Sequence, residues 1–201
     1  HNAENDRRLD PSKTNLIDIY MLTEAYDNAY RSWIINGGSL PEAPSSEQLR
    51  SEFEPGLDQV KSISDTLIFH TVKYRPLFGT TANTDLQAQF KIVRGPNSVI
   101  SDNQLKSGVI DAINAFFNVS NWDFGDTFYF SELATFVHNN LAPDLANMVI
   151  VPRSNGQSFG SLFQIQSKAD EIFVSTATVD NVEIIDSATA GTLQASGNVV
   201  S

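Results

Sequence analysis

The sequence predicts an α+β fold, with helices packed on a mixed or antiparallel sheet. Three observations carry that prediction. Stretches rich in strand formers, such as "TLIFHTVKY" and "LQAQFKIV", interleave with amphipathic helical patterns in no regular alternation. Two Ser-x-x-Gln signatures, Ser45 with Gln48 and Ser101 with Gln104, mark helix starts, because each side chain can answer the other residue's orphan backbone N–H. A hydrophobic content of 41% with 13 Phe in 201 residues supplies enough apolar surface to offset the entropy of ordering the chain.

The elements follow in order. Residues 1–15 are polar, contain Pro11 and form a lead-in segment. "LIDIYML", Leu16 to Leu22, is nearly continuous apolar and suits a buried strand. Tyr26, Tyr30, Trp33 and Ile34 recur at helical spacing until Gly37-Gly38 stops the pattern. "SLPEAP" is a loop, and the helix opened by Ser45 carries Leu49 and Phe53 before breaking or bending at Pro55-Gly56. Thr66 to Tyr74 is a strand, "FGTTANT" from Phe78 to Thr84 is a loop, and a second strand alternates Leu86, Ala88, Phe90 and Ile92 with Gln87, Gln89 and Lys91. After Ser101, the residues Leu105, Val109, Ile110, Ile113, Phe116 and Phe117 line one broad helical face. Leu133, Phe136, Val137 and Leu141 give a shorter amphipathic helix with Ser131 as its N-cap. "NMVIVPR" is a buried strand stopped by Pro152, and "LFQIQS" pairs with "EIFVS" as a hairpin across "KAD". Small polar residues dominate after Thr176, so 177–201 reads as a tail outside the core. This order suits two lobes, 16–78 and 79–176, divided near Pro76 to Gly79, and suits one continuous sheet equally.

A net charge of −11 and a pI near 4.5 oppose a nucleic-acid partner, since phosphate contacts need clustered Lys and Arg. No Lys/Arg-rich amphipathic helix is present to lie on a membrane, and no apolar run approaches the roughly 20 residues that span one. The acidity favours basic protein partners. With no Cys, disulfides, thiolate metal sites and Cys nucleophiles are excluded. The first residue is His1 and no apolar h-region follows it, so no signal peptide is visible and a fragment of a longer protein is expected. No cofactor and no small-molecule ligand is expected.

The stretch "NVSNWDFGDTFYFSELATFVHNNL", Asn118 to Leu141, concentrates aromatic residues around Asp123, Gly125 and Asp126. With Glu132 nearby, the two Asp could form a glycosidase-type carboxylate pair, which needs a defined separation and an open cleft. Asp and Gly are also what a turn between two elements uses. "DFGDTFYFSE" lacks the alternating oxygen ligands of a calcium loop, and "DFG" stands here without the other segments of a kinase. His1, His70 and His138 include no i, i+4 pair, which argues against zinc. "NGGSL" and "SNGQSFGSL" lack the spacing of a phosphate loop or a nucleophile elbow and read as turns. The aromatic residues have two readings. Trp122, Phe124, Phe128 and Phe130 either fill a junction between two helices and the sheet, or some stay exposed as anchors for another subunit.

The passage from Leu105 to Pro152 resembles the C-terminal region of the baseplate J-like family of contractile-tailed phages. The resemblance rests on a helix ending in the aromatic pair Phe116-Phe117, a W-x-F-G corner at Trp122, Phe124 and Gly125, a Ser131-Glu132-Leu133 helix start, and a following strand. Within that family the likeness is to the large baseplate wedge subunits of T-even-type phages, and it runs from about Asn5 to Ala177. The resemblance implies a structural virion protein, assembled in the host cytoplasm, that dimerises and joins other wedge proteins in the ring around the baseplate hub. It implies a part in the rearrangement that triggers sheath contraction, and no catalytic residue. The candidate packing or interface set is Trp122, Phe124, Gly125, Phe128, Phe130 and Leu133. A carbohydrate- or receptor-binding module of a phage tail or cell surface is the alternative, and a hydrolase using Asp123, Asp126 or Glu132 comes after it.

Overall fold

A computed structural model describes residues 15–63, 65–153, 164–189 and 191–193. The chain divides into two units, 1–72 and 73–201. Residues 1–14 of the lead-in segment, all of the second Gly-Ser stretch and the last residues lie outside the described residues, as do Leu162 and Phe163 of the expected hairpin.

The first unit is built as strand, helix, helix, strand. β1 (Asn15–Met21) and β2 (Asp65–Thr71) pair in parallel, from Asn15 opposite Asp65 to Met21 opposite Thr71. Parallel pairing needs a crossover, which α1 (Glu24–Asn36) and α2 (Ser46–Leu57) provide. α1 begins where Thr23 Oγ1 accepts the Tyr26 N–H at 3.3 Å and ends where Gly37, at φ 71°, donates to Trp33 O. α2 opens with both halves of its capping box, Gln48 N–H to Ser45 Oγ at 3.2 Å and Ser45 N–H to Gln48 Oε1 at 2.7 Å. It then runs through Pro55 to Leu57, past the expected break. Pro55 removes only the bond that would reach the Ser51 carbonyl, in the last turn, so little helix depends on it. Leu49 packs on Leu67 and Phe69, with Ile19, Met21, Phe53 and Leu57 around them.

β1 is a strand, but not the buried one expected. Leu16 is 67% exposed and Ile17 and Tyr20 are each 39% exposed. Among the described residues β1 has a single strand neighbour, and α2 packs on the face that carries Ile19 and Met21. Alternation leaves Leu16, Asp18 and Tyr20 on the other face, where Asp18 Oδ1 meets His70 Nε2 at 2.7 Å and Tyr20 stacks on the His70 ring.

The expected strand from Thr66 to Tyr74 is two strands. β2 stops at Thr71, the Val72 N–H donates to Met21 O, and β3 (Lys73–Leu77) begins the second unit. The division therefore falls ahead of the expected 78/79 junction, because Lys73 to Leu77 pairs in parallel with β8 (Glu171–Ser175) in the second unit.

The centre of the second unit is β4 (Ala88–Arg94), flanked by antiparallel β6 (Leu145–Pro152) and parallel β9 (Val182–Ile185). Leu86, expected in the strand, sits instead in a short 3-10 turn, Thr84–Leu86. α3 (Asp102–Phe116) and α4 (Phe130–Leu141) pack against each other, α3 contacting β9 and α4 contacting β6. The α3 capping box is complete, with Gln104 N–H to Ser101 Oγ at 3.2 Å, and Leu105, Val109 and Ile113 are fully buried. α4 follows directly on β5 (Thr127–Tyr129), so its N-cap is Tyr129, without a side-chain bond, rather than Ser131.

Two further expectations are overturned. The described part of "LFQIQS", from Gln164, does not form a hairpin with "EIFVS", although the chain does turn at "KAD", where the Glu171 N–H donates to Lys168 O. β7 (Gln164–Gln166) pairs with β5 and β8 with β3. The segment from 177 is not all tail: β9 lies in the central sheet with Val182 2% and Ile185 8% exposed. Lys91, only 2% exposed in the middle of β4, reaches Glu183 of β9 at 2.5 Å, and Gln89 donates to the same carboxylate. A buried cation thus holds a segment that looks polar and linker-like by composition.

Candidate functional site

The aromatic corner starts where α3 leaves carbonyls without helical partners. Asn118 caps the next turn, its Oδ1 accepting the Ser120 N–H at 3.0 Å. The two side chains that follow turn back onto the end of α3. Asn121 Nδ2 donates to Ala115 O at 3.0 Å and Trp122 Nε1 donates to Phe116 O at 2.8 Å.

Asp123 to Asp126 is a tight turn. The Asp126 N–H faces Asp123 O at 3.4 Å, Gly125 has φ 83°, and Asp126 Oδ2 accepts the Asp123 N–H at 2.7 Å. A type II turn needs positive φ at its third residue, and glycine adopts that conformation without Cβ strain. The Asp126 carbonyl also accepts the Ser167 N–H at 2.9 Å and its hydroxyl at 3.1 Å, anchoring the turn to the end of β7. The Asp126 carboxylate is thus engaged by the Asp123 backbone N–H within the turn. Asp126 and Glu132 line one open surface depression together with Phe116 and Trp122, and Asp123 is outside that lining.

Behind the turn the rings interlock. Phe117 lies among them, with Phe116 at 5.0 Å, Phe128 at 5.2 Å, Trp122 at 5.5 Å and Phe78 at 5.8 Å between centroids. Most of these pairs are edge-to-face, the arrangement favoured by ring quadrupoles. Phe78 holds φ 74°, a left-handed conformation rare for an aromatic residue, and is fully buried against Phe90, Phe128 and Phe130.

Of the six candidate residues, Phe128, Phe130 and Leu133 are buried in this core and Trp122 is half-buried against it. Gly125 makes the turn. Phe124 departs from the junction reading: it is 38% exposed at the turn's tip. Phe78 and Phe173 belong to the corner and were not visible as such, since they arrive from strands distant in the chain. Tyr129, 41% exposed, and the partly buried Phe136 complete the surface beside it.

Among the described residues, no three His, Asp or Glu gather where they could hold a metal ion. No helix among them is long and apolar enough to cross a membrane. Glu171, at the start of β8, has a lowered pKa. Burial opposes its charge, but the Lys168 N–H at 3.1 Å, the Lys168 ammonium and Arg75 Nη1 at 3.2 Å together outweigh that. Asp170 is lowered as well, chiefly by its bond from Lys73 Nζ at 2.8 Å.

The fold and corner define an α+β protein of two units whose most distinctive surface borders an aromatic core. No family profile matches this sequence, and no curated protein is significantly similar to it.

Proposed function

We propose that this chain is a structural assembly protein: a baseplate-wedge component of a contractile phage tail that acts without catalysis. On this reading it pairs with a second copy of itself, joins other wedge proteins around the hub, and shifts with the baseplate when the sheath contracts. The observation that carries the reading is the use made of the motif residues. Trp122, Phe128, Phe130 and Leu133 pack the junction of α3, α4 and the strands, while Gly125, Asp123 and Asp126 build its turn. A rigid corner of this kind suits a building block that must keep its shape under load.

The exposed apolar residues of β1 supply a self-association surface. Leu16, Ile17 and Tyr20 lie on a strand with one neighbour among the described residues, and an exposed apolar edge strand is a template for pairing with another chain. Size-exclusion chromatography with light scattering tests it. The wild type is expected as a dimer and Leu16→Asp with Tyr20→Asp as a folded monomer; a strictly monomeric wild type at high concentration overturns the dimer. Co-purification with proteins encoded by adjacent tail genes tests the wedge assignment. The receptor-binding alternative draws support from Trp122 and Tyr129 beside an open depression, and a glycan array separates it from the assembly role.

A further inference from the structure

The surface over the aromatic corner is grooved along α4. Two adjoining open depressions of about 480 and 500 Å³ share Phe116, Glu132 and Phe136. The row Ser131, Thr135 and Asn139, at i, i+4 and i+8, follows one side of the helix, and eight residues of helix rise about 12 Å. That length matches three or four residues of extended chain at about 3.3 Å each. The floor is aromatic: Phe116, Trp122 and Phe136 are each half-buried, with Phe116 at 5.4 Å from both of the others.

Glu132 lines both depressions and is exposed, and its carboxylate makes no hydrogen bond or ion pair with any described residue. Among the described residues, no Lys or Arg lines either depression. A free carboxylate above half-covered rings is complementary to a cation with apolar flanks. Arg fits best, because its planar guanidinium can take a carboxylate through a fork of N–H donors and lie against an aromatic face.

We propose that this groove docks an Arg-bearing apolar segment of another protein, the guanidinium on Glu132 and its apolar neighbours over Phe116 and Phe136. The groove offers this chemistry whether or not the chain belongs to a phage tail, so the two readings stand or fall separately.

The test pans a random dodecapeptide library against the intact chain and measures the recovered peptides on variants. Glu132 and Thr135 are exposed on α4, so substitutions there leave the core untouched, and circular dichroism checks each variant. Recovered peptides should share an Arg with apolar flanks, bind Glu132→Gln at least about tenfold more weakly, and fail on Glu132→Lys. Thr135→Arg, which fills the groove and places a cation i, i+3 from Glu132 where it can take that carboxylate, should block them too. Absence of enrichment, recovered peptides without a basic residue, or unchanged binding to Glu132→Lys and Thr135→Arg each overturns the proposal. Glycan binding in place of peptide binding overturns it as well.

Discussion

Trp122 lies nearly flat on Phe117, with centroids 5.5 Å apart and planes 17° apart, while its indole N–H donates to Phe116 O at 2.8 Å. One side chain therefore both packs the core and satisfies a carbonyl at the end of α3. Trp122→Ala is expected to cost about 3–5 kcal/mol, the range for truncating a large core aromatic. Trp122→Phe keeps most of the packing and loses the hydrogen bond, which costs about 1 kcal/mol. Urea denaturation of both variants measures this. Unchanged stability with weakened association would move Trp122 from core to interface.

The turn at Asp123 to Asp126 makes separable predictions. Gly125→Ala forces a Cβ into φ 83° and is expected to cost about 1–2 kcal/mol. Asp126→Ala frees the Asp123 N–H and costs about 1 kcal/mol, whereas Asp126→Asn keeps an acceptor oxygen and costs less. Thermal denaturation ranks the three. If this chain degraded cell wall and Asp126→Asn abolished that while leaving stability alone, the turn would have a chemical role.

Lys91 and Glu183 tie β9 into the sheet across a buried cation. Glu183→Ala leaves Lys91 short of its carboxylate and is expected to destabilise by about 2–3 kcal/mol. Lys91→Met, which removes the buried charge itself, is expected to be close to neutral. Comparable losses for both substitutions in chemical denaturation would mean that the pair, not the buried charge, sets the energy.

The lowered pKa values of Glu171 and Asp170 set an acid limit. A carboxylate whose folded pKa lies below its unfolded value contributes stability above the unfolded pKa, and loses it as pH falls through the folded one. Stability should therefore decline from about pH 4, where free carboxylates titrate, downward. Glu171→Gln should flatten that decline, as equilibrium denaturation between about pH 5 and about pH 2 would measure. An unchanged acid slope in this variant would remove Glu171 from the account.

The local grammar of this fold was legible in the chain. Ser45 with Gln48 and Ser101 with Gln104 cap their helices as their spacing predicts, Gly37 ends α1, and Gly125 turns the corner. Each depends on groups within a few residues, so the sequence determined it alone. The aromatic density after Asn118 pointed either to a packed junction or to exposed anchors; the fold buries Phe128 and Phe130 and leaves Phe124 and Tyr129 exposed.

The remaining features depend on residues far apart in the chain. β1 has the composition of a buried strand, yet its open face is set by how few strands surround it. β7 and β8 flank a good turn and still pair elsewhere, because β5 and β3 offer longer-range edges. β9 looks like the start of a tail until Lys91 is seen buried on the neighbouring strand. Phe78 and Phe173 join Trp122 and Phe128 only after strands distant in sequence are brought together. Hydrogen-bond registers and buried charges are fixed by partners that no local window contains, so the sequence determined the elements and the assembled structure decided which faces they share.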